Sequence, residues 1–427
     1  MNKTVARAGR LSGSLALPGD KSISHRFAIL ASLAAGQSRI HNYSTGADCH
    51  STLGAIRELG VEVAIDGNVV TIEGRGLDGW REPLRALDAG NSGSAMRMLA
   101  GPLAAQRFDS TLIGDESLSG RPMDRIIKPL LSMGGLVEAR DNRFPPLRIH
   151  GRKLHPIDYE LPVASAQVKT CVLLAGLFCD GETVVREPVR TRDHTEIALR
   201  EFGAEVSVVR RTITLAGRPD LKGRELLVPS DLSSAAFFIV AALIVPGSEL
   251  ALRNVGLNPT RSALLDFLLS AGASIRIAAL EMVNGEPVGD LVISHSALRG
   301  GLIEGETTAA LIDEIPALAV LGAVSEAGLE IKNARELRVK ETDRIATIVE
   351  NMRRMGIEVE EREDGLRIPG RQQFRGAVVD SFGDHRIAMA FAVAGLVAEG
   401  TTTIENAEAA SVSFPEFWSL LDQIVEE

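Results

Sequence analysis

The sequence predicts an α/β protein built from six copies of one strand-and-helix unit, grouped three and three into two similar domains. In each copy a short strand leads into a turn of small or acidic residues, and a helix rich in alanine and leucine follows. The six copies begin at or near Leu17, Leu87, Leu161, Val228, Leu311 and Asp380. Self-similarity at a nearly fixed period is typical of a repeat architecture.

A second pattern recurs in five of the copies, where a helix ends at a glycine and a strand begins. These glycines are Gly60, Gly134, Gly203, Gly272 and Gly356. Glycine favours the left-handed conformation that ends a helix, so each unit should follow the order strand–helix–strand–helix–strand. The first helix of each unit is apolar nearly all round, as in 235–243, and we expect it to be buried. The alternative is a generic α/β chain whose alanine-rich helices merely resemble one another.

The length and charge of the chain limit its architecture and its partners. A chain of 427 residues exceeds the size at which one hydrophobic core stops growing, so we expect two domains with a boundary near Pro229. The net charge is −10 and only 4% of the residues are aromatic, which argues against a nucleic-acid partner. An anionic ligand would have to be held by a local group of basic side chains.

The cysteines and the apolar pattern predict a cytoplasmic protein without a metal site or a membrane segment. Cys49, Cys171 and Cys179 lack metal-ligand spacing, and free buried thiols are typical of a reducing compartment. The first 15 residues contain no apolar stretch of the signal-peptide type, and no uncharged apolar run reaches 18 residues.

The start of the first copy, residues 17–26, has the features of an anion-binding site. A Pro-Gly turn leads into a helix that should open at Asp20 or Lys21. Ser22 and Arg26 are four residues apart and therefore share one face of that helix. The first backbone N–H groups of a helix have no partner within it and attract anions. Lys21 and Arg26 add two positive charges.

Further stretches of the N-terminal half place polar or basic residues at helix starts and in turns. Asn91 and Gly93 open the second copy in a run of small residues, which lets a ligand approach the backbone closely. Arg121 precedes a proline and should project from an extended position. Arg192 lies before a helix that we expect Asp193 to cap, with a glutamate three residues on. Each stretch could also be only a turn or a cap.

The C-terminal half carries a comparable set. Asp313 precedes a helix start, where the helix dipole alone could favour a carboxylate. Lys340 and Arg344 are four residues apart, a like-charge pair that is unfavourable on one solvated helix face, although Glu341 could offset part of this cost. Arg386 follows a potential capping aspartate in the sixth copy. So many positive charges suit ligands with several anionic groups, bound between the two halves.

Taken together, these stretches resemble the 5-enolpyruvylshikimate-3-phosphate synthases, the enolpyruvyl transferases of the shikimate pathway. The matching motifs span nearly the whole chain: PGDKSISHR (18–26), GNSGSAMR (90–97), RPM (121–123), ASAQVK (164–169), TRDHTE (191–196), DEIP (313–316), RVKETDR (338–344) and GDHRIAM (383–389). The wording of ASAQVK and TRDHTE is closer to the second class of these enzymes than to the enteric class.

The resemblance implies two domains, each of three βαβαββ units in an inside-out αβ prism with buried parallel helices. The N-terminal strand would cross over, so that one domain comprises residues 1–17 plus 229–427 and the other residues 18–228. The active site would lie in the cleft between them. Helix dipoles and cations that meet in an empty cleft should repel one another, so we expect an open form that closes when anionic substrates bind.

The resemblance also implies a reaction, in which the enolpyruvyl group of phosphoenolpyruvate is transferred to the 5-hydroxyl of shikimate 3-phosphate. Addition and elimination would release phosphate without a cofactor or a metal, on the pathway to chorismate and the aromatic amino acids. Shikimate 3-phosphate would be bound by Lys21, Ser22, Arg26, Ser165, Ala166, Gln167, Arg192, Asp313 and Lys340. Phosphoenolpyruvate would be bound by Lys21, Asn91, Gly93, Arg121, Gln167, Arg344 and Arg386. Glu341 would be the acid, with a pKa that burial beside an anionic substrate would raise, and either Asp313 or Lys21 the base.

Three positions bear on how closely the chain follows this family. Val412 stands where the enteric class has a lysine, and Glu336 stands where it has an asparagine, which affects details of substrate contact. Gly93 keeps a small residue toward phosphoenolpyruvate, so we expect sensitivity to glyphosate, a competitor for that pocket.

Two other functions compete with this interpretation. The UDP-N-acetylglucosamine enolpyruvyl transferases share the implied fold and one substrate, but they carry a cysteine where this chain has Glu116 and Lys-Asn where it has Lys21-Ser22. A non-catalytic anion-binding repeat protein would have no need of proton-transfer groups such as Asp313 and Glu341. We expect small-molecule substrates, no nucleic-acid or membrane partner and, without an exposed apolar stripe, a monomer.

Overall fold

The computed structural model describes residues 1–426, in which helices and strands alternate. The α-helices are α1 (Lys21–Leu33), α2 (Ala47–Glu58), α3 (Gly93–Ala104), α4 (Glu116–Ser119), α5 (Asp124–Ser132), α6 (Ala166–Gly176), α7 (His194–Glu201), α8 (Leu232–Ile244), α9 (Ala263–Ser270), α10 (Glu306–Leu311), α11 (Ile315–Val324), α12 (Arg344–Arg354), α13 (His385–Gly395) and α14 (Phe417–Ile424). Two short 3-10 helices lie at Arg335–Val339 and Ala407–Val412.

The β-strands are short and lie between these helices. They are β1 (Lys3–Val5), β2 (Arg10–Ala16), β3 (Ala35–His41), β4 (Glu62–Asp66), β5 (Val69–Arg75), β6 (Leu87–Asp88), β7 (Asp109–Ile113), β8 (Leu136–Arg140), β9 (Phe144–His150), β10 (Asp158–Glu160), β11 (Glu182–Arg186), β12 (Val206–Val209), β13 (Thr212–Ala216), β14 (Glu225–Leu227), β15 (Glu249–Gly256), β16 (Ser274–Val283), β17 (Glu286–Ser294), β18 (Gly301–Ile303), β19 (Leu329–Ile331), β20 (Glu360–Arg362), β21 (Gly365–Ile368), β22 (Val378–Asp380), β23 (Thr402–Glu405) and β24 (Val425–Glu426).

The order strand–helix–strand–helix–strand predicted from the sequence occurs six times, although the fifth copy opens at β18 and not near Leu311, which lies in α10. Each copy has an opening strand, a first helix, a second strand, a second helix and two closing strands, except that the sixth copy closes with β24 alone. The first helices are α1, α3, α6, α8, α11 and α13, and the second helices are α2, α5, α7, α9, α12 and α14.

The five glycines of the second pattern each follow a second helix and have a left-handed backbone. Their φ angles lie between 78° and 100°. Each donates its backbone N–H to the carbonyl three residues earlier, at 2.9–3.0 Å. These glycines therefore end the helices in the way the sequence predicts.

The described chain forms two compact units. The N-terminal unit comprises Gly19–Val228 together with Val283–Glu286, and the C-terminal unit comprises Met1–Pro18, Pro229–Met282 and the chain from Pro287 on. The sheets of the N-terminal unit have the orders β14-β3-β5-β4, β6-β7-β9-β8 and β10-β11-β13-β12. Those of the C-terminal unit are β1-β23-β22, β16-β17-β15-β2-β24 and β18-β19-β21-β20.

Two opening strands are exchanged between copies of the repeat. The strand β2, which precedes α1 in the chain, pairs in parallel with β15 in the C-terminal unit. The strand β14, which precedes α8, pairs in parallel with β3 in the N-terminal unit. The strand β2 of the first copy thus completes the sheet of the fourth copy, and β14 of the fourth copy completes the sheet of the first. Each of these sheets therefore contains a parallel strand pair.

The first helices form the interior of the units, as their sequences predict. In α8 every residue except Ser234 is buried, and the helices α1, α3 and α6 contribute about a third of the buried apolar residues in the core of the N-terminal unit. Because these helices are buried, the motif residues at their starts are fixed by the core behind them. Among residues 1–426, none of the helices has the length and apolar character needed to cross a membrane.

Candidate active site

The first motif forms the start of α1 in the N-terminal unit. Asp20 is the N-cap residue, and its carboxylate accepts a hydrogen bond from a first-turn backbone N–H at 2.9 Å. Only glycine fits at Gly19, because a Cβ there would lie 1.8 Å from the carbonyl oxygen of Asn42. Lys21 pairs through Nζ with Asp48 Oδ2 at 3.0 Å. The predicted helix start is therefore present and carries a paired cation.

Arg26 lies one turn further along α1 and connects three helices. Its Nη1 donates to the Ser22 carbonyl oxygen at 2.7 Å, so the two residues share a helix face as predicted. Its Nε donates to Thr195 Oγ1 on α7 at 2.7 Å, and its Nη2 donates to Thr170 Oγ1 on α6 at 2.9 Å. Burial lowers the pKa of Arg26 to about 10, so the guanidinium is still charged at neutral pH.

His25, beside Arg26, is fully buried and uncharged at neutral pH. Its Nδ1 lies 2.7 Å from Thr52 Oγ1. Burial, opposed in part by the charge of Asp48, lowers the pKa of His25 from 6.5 to about 3. Between about pH 3 and pH 6.5, protonation of the buried imidazole would therefore destabilise the folded state.

We expect the free energy of unfolding to fall by about 1 kcal/mol per pH unit through His25 alone as the pH decreases from 6.5 toward 3. In this range the unfolded histidine takes up a proton and the folded one does not, so acid favours the unfolded state. Urea unfolding of His25→Gln at several pH values should show a correspondingly smaller slope. His50→Gln, which removes an exposed histidine of α2, is the control. Equal slopes in wild type and His25→Gln would contradict this account.

The second motif joins Asn91 to Arg121. Ser92 caps α3, which begins at Gly93. Asn91 Oδ1 accepts a hydrogen bond from Arg121 Nη2 at 2.8 Å, while Asn91 Nδ2 donates to Asp115 Oδ2 at 2.7 Å. The amide therefore orients the guanidinium, although the two residues are thirty positions apart in the chain.

Gln167 is held by a residue to which the sequence assigns no role, Arg97. Its Oε1 accepts from Arg97 Nη1 at 2.9 Å, and its Nε2 donates to Ser94 Oγ at 2.9 Å. A Cβ on Gly93 would lie 2.7 Å from the same Arg97 nitrogen. The presence of Arg97 in the second motif is the only sequence signal for this contact, and its partner lies seventy residues away.

The third motif and the Arg192 segment differ in part from the prediction. Ser165 is the N-cap of α6, with Oγ accepting a 3.4 Å hydrogen bond from the Val168 N–H, so Ala166 is the first residue of the helix. Arg192 lies just before α7. Asp193 occupies the N-cap position of α7, but its side chain does not cap the helix. Its carboxylate pairs instead with Arg190 Nη2 at 3.0 Å. The guanidinium thus takes the place of the backbone N–H groups that a capping carboxylate would bind.

In the C-terminal unit, Arg344 is the centre of a group of carboxylates. Only 1% of its side chain is exposed, and its partners are Asp384 at 2.8 Å, Glu341 at 2.6 Å and Asp313 at 3.9 Å. Burial alone would raise the pKa of Asp384, but the charge of Arg344 lowers it below its ordinary value. The same carboxylates outweigh burial at Arg344 and raise the pKa of its guanidinium.

Lys340 does not share a helix with Arg344, contrary to the expectation from their spacing. It follows the 3-10 helix Arg335–Val339, and α12 begins only at Arg344 because Asp343 caps it. Lys340 Nζ lies 3.6 Å from Asp313 Oδ1 and 3.4 Å from Glu336 Oε1. The two cations are therefore separated by a break in the helix and share one carboxylate neighbour, Asp313, while Glu336 pairs with Lys340 alone.

Arg386 is tied to the same group. Its Nη1 donates to the Asp313 carbonyl oxygen at 2.5 Å and lies 3.9 Å from Glu314 Oε1. Its backbone N–H donates to Asp384, which caps α13 at 2.8 Å. The C-terminal unit thus brings Asp313, Lys340, Glu341, Arg344 and Arg386 into one connected set. Val412 lies at the end of a 3-10 helix.

In the N-terminal unit, Lys21, Arg26 and Arg121 are held in place by a carboxylate, hydroxyls and an amide. In the C-terminal unit, Lys340, Arg344 and Arg386 are held in place by carboxylates and a backbone carbonyl. We call these groups the two cationic sets. Such a set can bind carboxylate and phosphate groups by paired hydrogen bonds from planar guanidinium groups. Within residues 1–426 there is no group of three or more histidine, cysteine or acidic side chains that could hold a metal ion.

Comparisons with known proteins agree with these features over the whole chain. The family model described as EPSP synthase (3-phosphoshikimate 1-carboxyvinyltransferase) matches residues 5–421. A 3-phosphoshikimate 1-carboxyvinyltransferase of Solibacter usitatus is 65% identical over 426 residues, which cover 100% of each chain. A protein of the same name from Koribacter versatilis is 51% identical and covers 99% of each chain.

Solved structures agree with the fold. An EPSP synthase from Acinetobacter baumannii matches with a TM-score of 0.90 and 41% identity, over 99% of this chain and 98% of that one. The enolpyruvyl transferase NikO from Streptomyces tendae matches with a TM-score of 0.80 and 19% identity, over 99% and 96% of the two chains. The fold is the enolpyruvyl transferase fold.

Proposed function

We propose that this chain, which belongs to the EPSP synthase family, transfers the enolpyruvyl group of phosphoenolpyruvate to the 5-hydroxyl of shikimate 3-phosphate. The observation that carries the proposal is the 65% identity over the full length to a 3-phosphoshikimate 1-carboxyvinyltransferase. The chain is accordingly a transferase of the shikimate pathway, which leads to the aromatic amino acids. The UDP-N-acetylglucosamine reaction and a purely binding role are not favoured by any of the relatives.

In the proposed reaction, a proton adds to the methylene carbon of phosphoenolpyruvate and the 5-hydroxyl oxygen attacks the adjacent carbon. The hydroxyl proton passes to a base. The tetrahedral intermediate then loses phosphate and a methyl proton, which restores the double bond. No electrons are exchanged with a cofactor, so positioned acids, bases and cations are sufficient.

The substrate contacts are carried over from the motifs of the family, residue by residue. We assign shikimate 3-phosphate to Lys21, Ser22, Arg26, Ser165, Ala166, Gln167, Arg192, Asp313 and Lys340. We assign phosphoenolpyruvate to Lys21, Asn91, Gly93, Arg121, Gln167, Arg344 and Arg386. The pairing of Asn91 with Arg121 at 2.8 Å supports a preorganised guanidinium for the second substrate.

We assign the base to Asp313 and the acid to Glu341. A base must be deprotonated before it acts, and an ordinary carboxyl group is so at neutral pH whereas an ordinary ammonium group is not. Lys21 is paired with Asp48 at 3.0 Å, which supports a role as a cationic clamp on both substrates. Glu341, 22% exposed and 2.6 Å from Arg344, is the more exposed of the two carboxyl groups that pair closely with Arg344, and the negative charge of a substrate bound beside it would favour the protonated form that an acid needs.

Product analysis tests the function directly. The purified protein, incubated with phosphoenolpyruvate and shikimate 3-phosphate, should release phosphate and form one enolpyruvyl ether of shikimate 3-phosphate in equal amounts, as measured by colorimetry and mass spectrometry. Phosphate release without that ether would mean simple hydrolysis and would contradict the proposal.

Gly93→Ala is expected to reduce glyphosate inhibition about tenfold, or about 1.4 kcal/mol, and to raise the KM for phosphoenolpyruvate. The physical reason is that the new Cβ lies 2.7 Å from Arg97 Nη1, so the Arg97–Gln167 contact must shift. Inhibition curves at several phosphoenolpyruvate concentrations measure both effects. Gly54→Ala, where a Cβ meets nothing within 4 Å, is the matched control. A Gly93→Ala variant as sensitive as wild type would refute the assignment of Gly93.

We propose that the two cationic sets close on the same pair of substrates. Substrates whose anionic groups bind guanidinium and ammonium groups of both sets would favour closure, and closure excludes water from the reactive intermediate. Small-angle scattering should show a smaller radius of gyration with shikimate 3-phosphate and glyphosate than without ligands. An unchanged radius would count against closure.

A further inference from the structure

Lys169, the last residue of the third motif, is a fully buried cation to which the proposed mechanism assigns no role. Its side chain is 0% exposed, and its Nζ lies 2.7 Å from Glu196 Oε1 and 3.0 Å from Glu187 Oε1. The side chains of both glutamates are 3% exposed or less. Because its side chain is fully buried, Lys169 cannot contact a substrate. Its ammonium group instead joins these two carboxylates.

The two carboxylates belong to segments that bear proposed ligands of shikimate 3-phosphate. Glu187 Oε1 also accepts hydrogen bonds from the backbone N–H of Thr191, at 3.3 Å, and from the Thr191 hydroxyl. Arg192 is the next residue. The bridge from Lys169 through Glu187 thus fixes the segment from which Arg192 projects.

The second carboxylate, Glu196, lies beside the contacts of Arg26. Thr170 follows Lys169 and Thr195 precedes Glu196, and their hydroxyl oxygens are 2.6 Å apart. Both hydroxyls accept hydrogen bonds from Arg26. The ion bridge and the threonine pair therefore run side by side between α6 and α7.

A purely stabilising role would not explain this choice of residues. Apolar side chains of similar volume often stabilise a protein as well as a buried ion group does. A buried lysine between two carboxylates instead fixes direction and distance, because each unpaired charge would be costly. Gln167 lies on α6 with Lys169, and Arg192 follows the Thr191 that Glu187 holds. Arg26, on α1, donates hydrogen bonds to Thr170 and Thr195, which are the sequence neighbours of Lys169 and Glu196.

We propose that Lys169 is a positioning residue, which sets the spacing of Gln167, Arg192 and Arg26 for shikimate 3-phosphate and touches neither substrate. The proposal rests on the proposed function. It predicts that weakening the bridge raises the KM for shikimate 3-phosphate much more than the KM for phosphoenolpyruvate.

The mildest test is Thr191→Val, which removes one hydroxyl at a partly exposed position and should fold. We expect about a tenfold rise in the KM for shikimate 3-phosphate, as for one lost hydrogen bond to a charged group. The KM for phosphoenolpyruvate and kcat should change little, and the melting temperature should fall only slightly, because the lost hydrogen bond also stabilises the folded state. Thr71→Val, on β5 of the same unit, is the matched control.

The triple variant Lys169→Met, Glu187→Gln, Glu196→Gln separates positioning from stability. Removing all three charges leaves none unpaired, so the melting temperature should remain near that of wild type while the KM for shikimate 3-phosphate stays raised. A wild-type KM in both Thr191→Val and the triple variant would overturn the proposal. So would a parallel rise of both KM values with falling melting temperature. A wild-type protein that neither binds shikimate 3-phosphate in calorimetry nor turns over would instead contradict the proposed function.

Discussion

Arg344→Met is expected to lose about 3–5 kcal/mol of folding free energy and about 10²–10³-fold in kcat/KM for phosphoenolpyruvate. The side chain of Arg344 is 1% exposed, and it neutralises Asp384, which is 0% exposed. Methionine fills a similar volume but leaves that carboxylate buried without its cation. Urea unfolding and phosphate-release kinetics measure the two losses separately.

Arg354→Met on the same helix provides the control. Arg354 pairs with Glu350 at the surface, where the two side chains are 36% and 49% exposed. A surface pair contributes about 0–1 kcal/mol, so this variant should keep nearly full stability and activity. If Arg344→Met behaved like Arg354→Met, the buried carboxylate group would have no part in stability or in phosphoenolpyruvate binding.

Asp313→Asn is expected to lower kcat by about 10²–10⁴-fold, the usual contribution of a positioned base. Asp313 Oδ1 lies 3.6 Å from Lys340 Nζ, and the Asp313 carbonyl accepts a 2.5 Å hydrogen bond from Arg386. Asparagine preserves the shape and the backbone contact but cannot accept the hydroxyl proton. The effect should therefore appear in kcat, with a much smaller change in either KM.

Lys21→Met distinguishes the two candidate bases. If Lys21 is a clamp, this variant should mainly raise both KM values. Asp266→Asn, at an exposed position of α9, controls for a general effect of losing an acid. A kcat within threefold of wild type in Asp313→Asn, combined with a large loss of kcat in Lys21→Met, would reverse the assignment.

The sequence was sufficient for the repeat and for most helix starts because these depend on local chemistry. Asp384 caps α13 as predicted, and Gly60 ends α2 in the left-handed conformation, each within a few residues of the pattern that predicts it. The apolar first helices, such as α8, could be identified as buried because no polar face interrupts them.

Pairings over long sequence distances could not be predicted in the same way. Arg97 holds Gln167 and Lys169 holds Glu187 only because packing brings α3, α6 and the segment before α7 together. Competition between nearby partners also escapes local rules. Asp193 has the position of a cap but pairs with Arg190, and the break before α12 separates two cations whose spacing suggests one helix.

The most direct test of the central claim is phosphate release from phosphoenolpyruvate with either shikimate 3-phosphate or UDP-N-acetylglucosamine as the acceptor. We predict steady release with shikimate 3-phosphate and none above background with the nucleotide sugar. Phosphate release with UDP-N-acetylglucosamine but not with shikimate 3-phosphate would contradict the account. So would the absence of phosphate release with both acceptors.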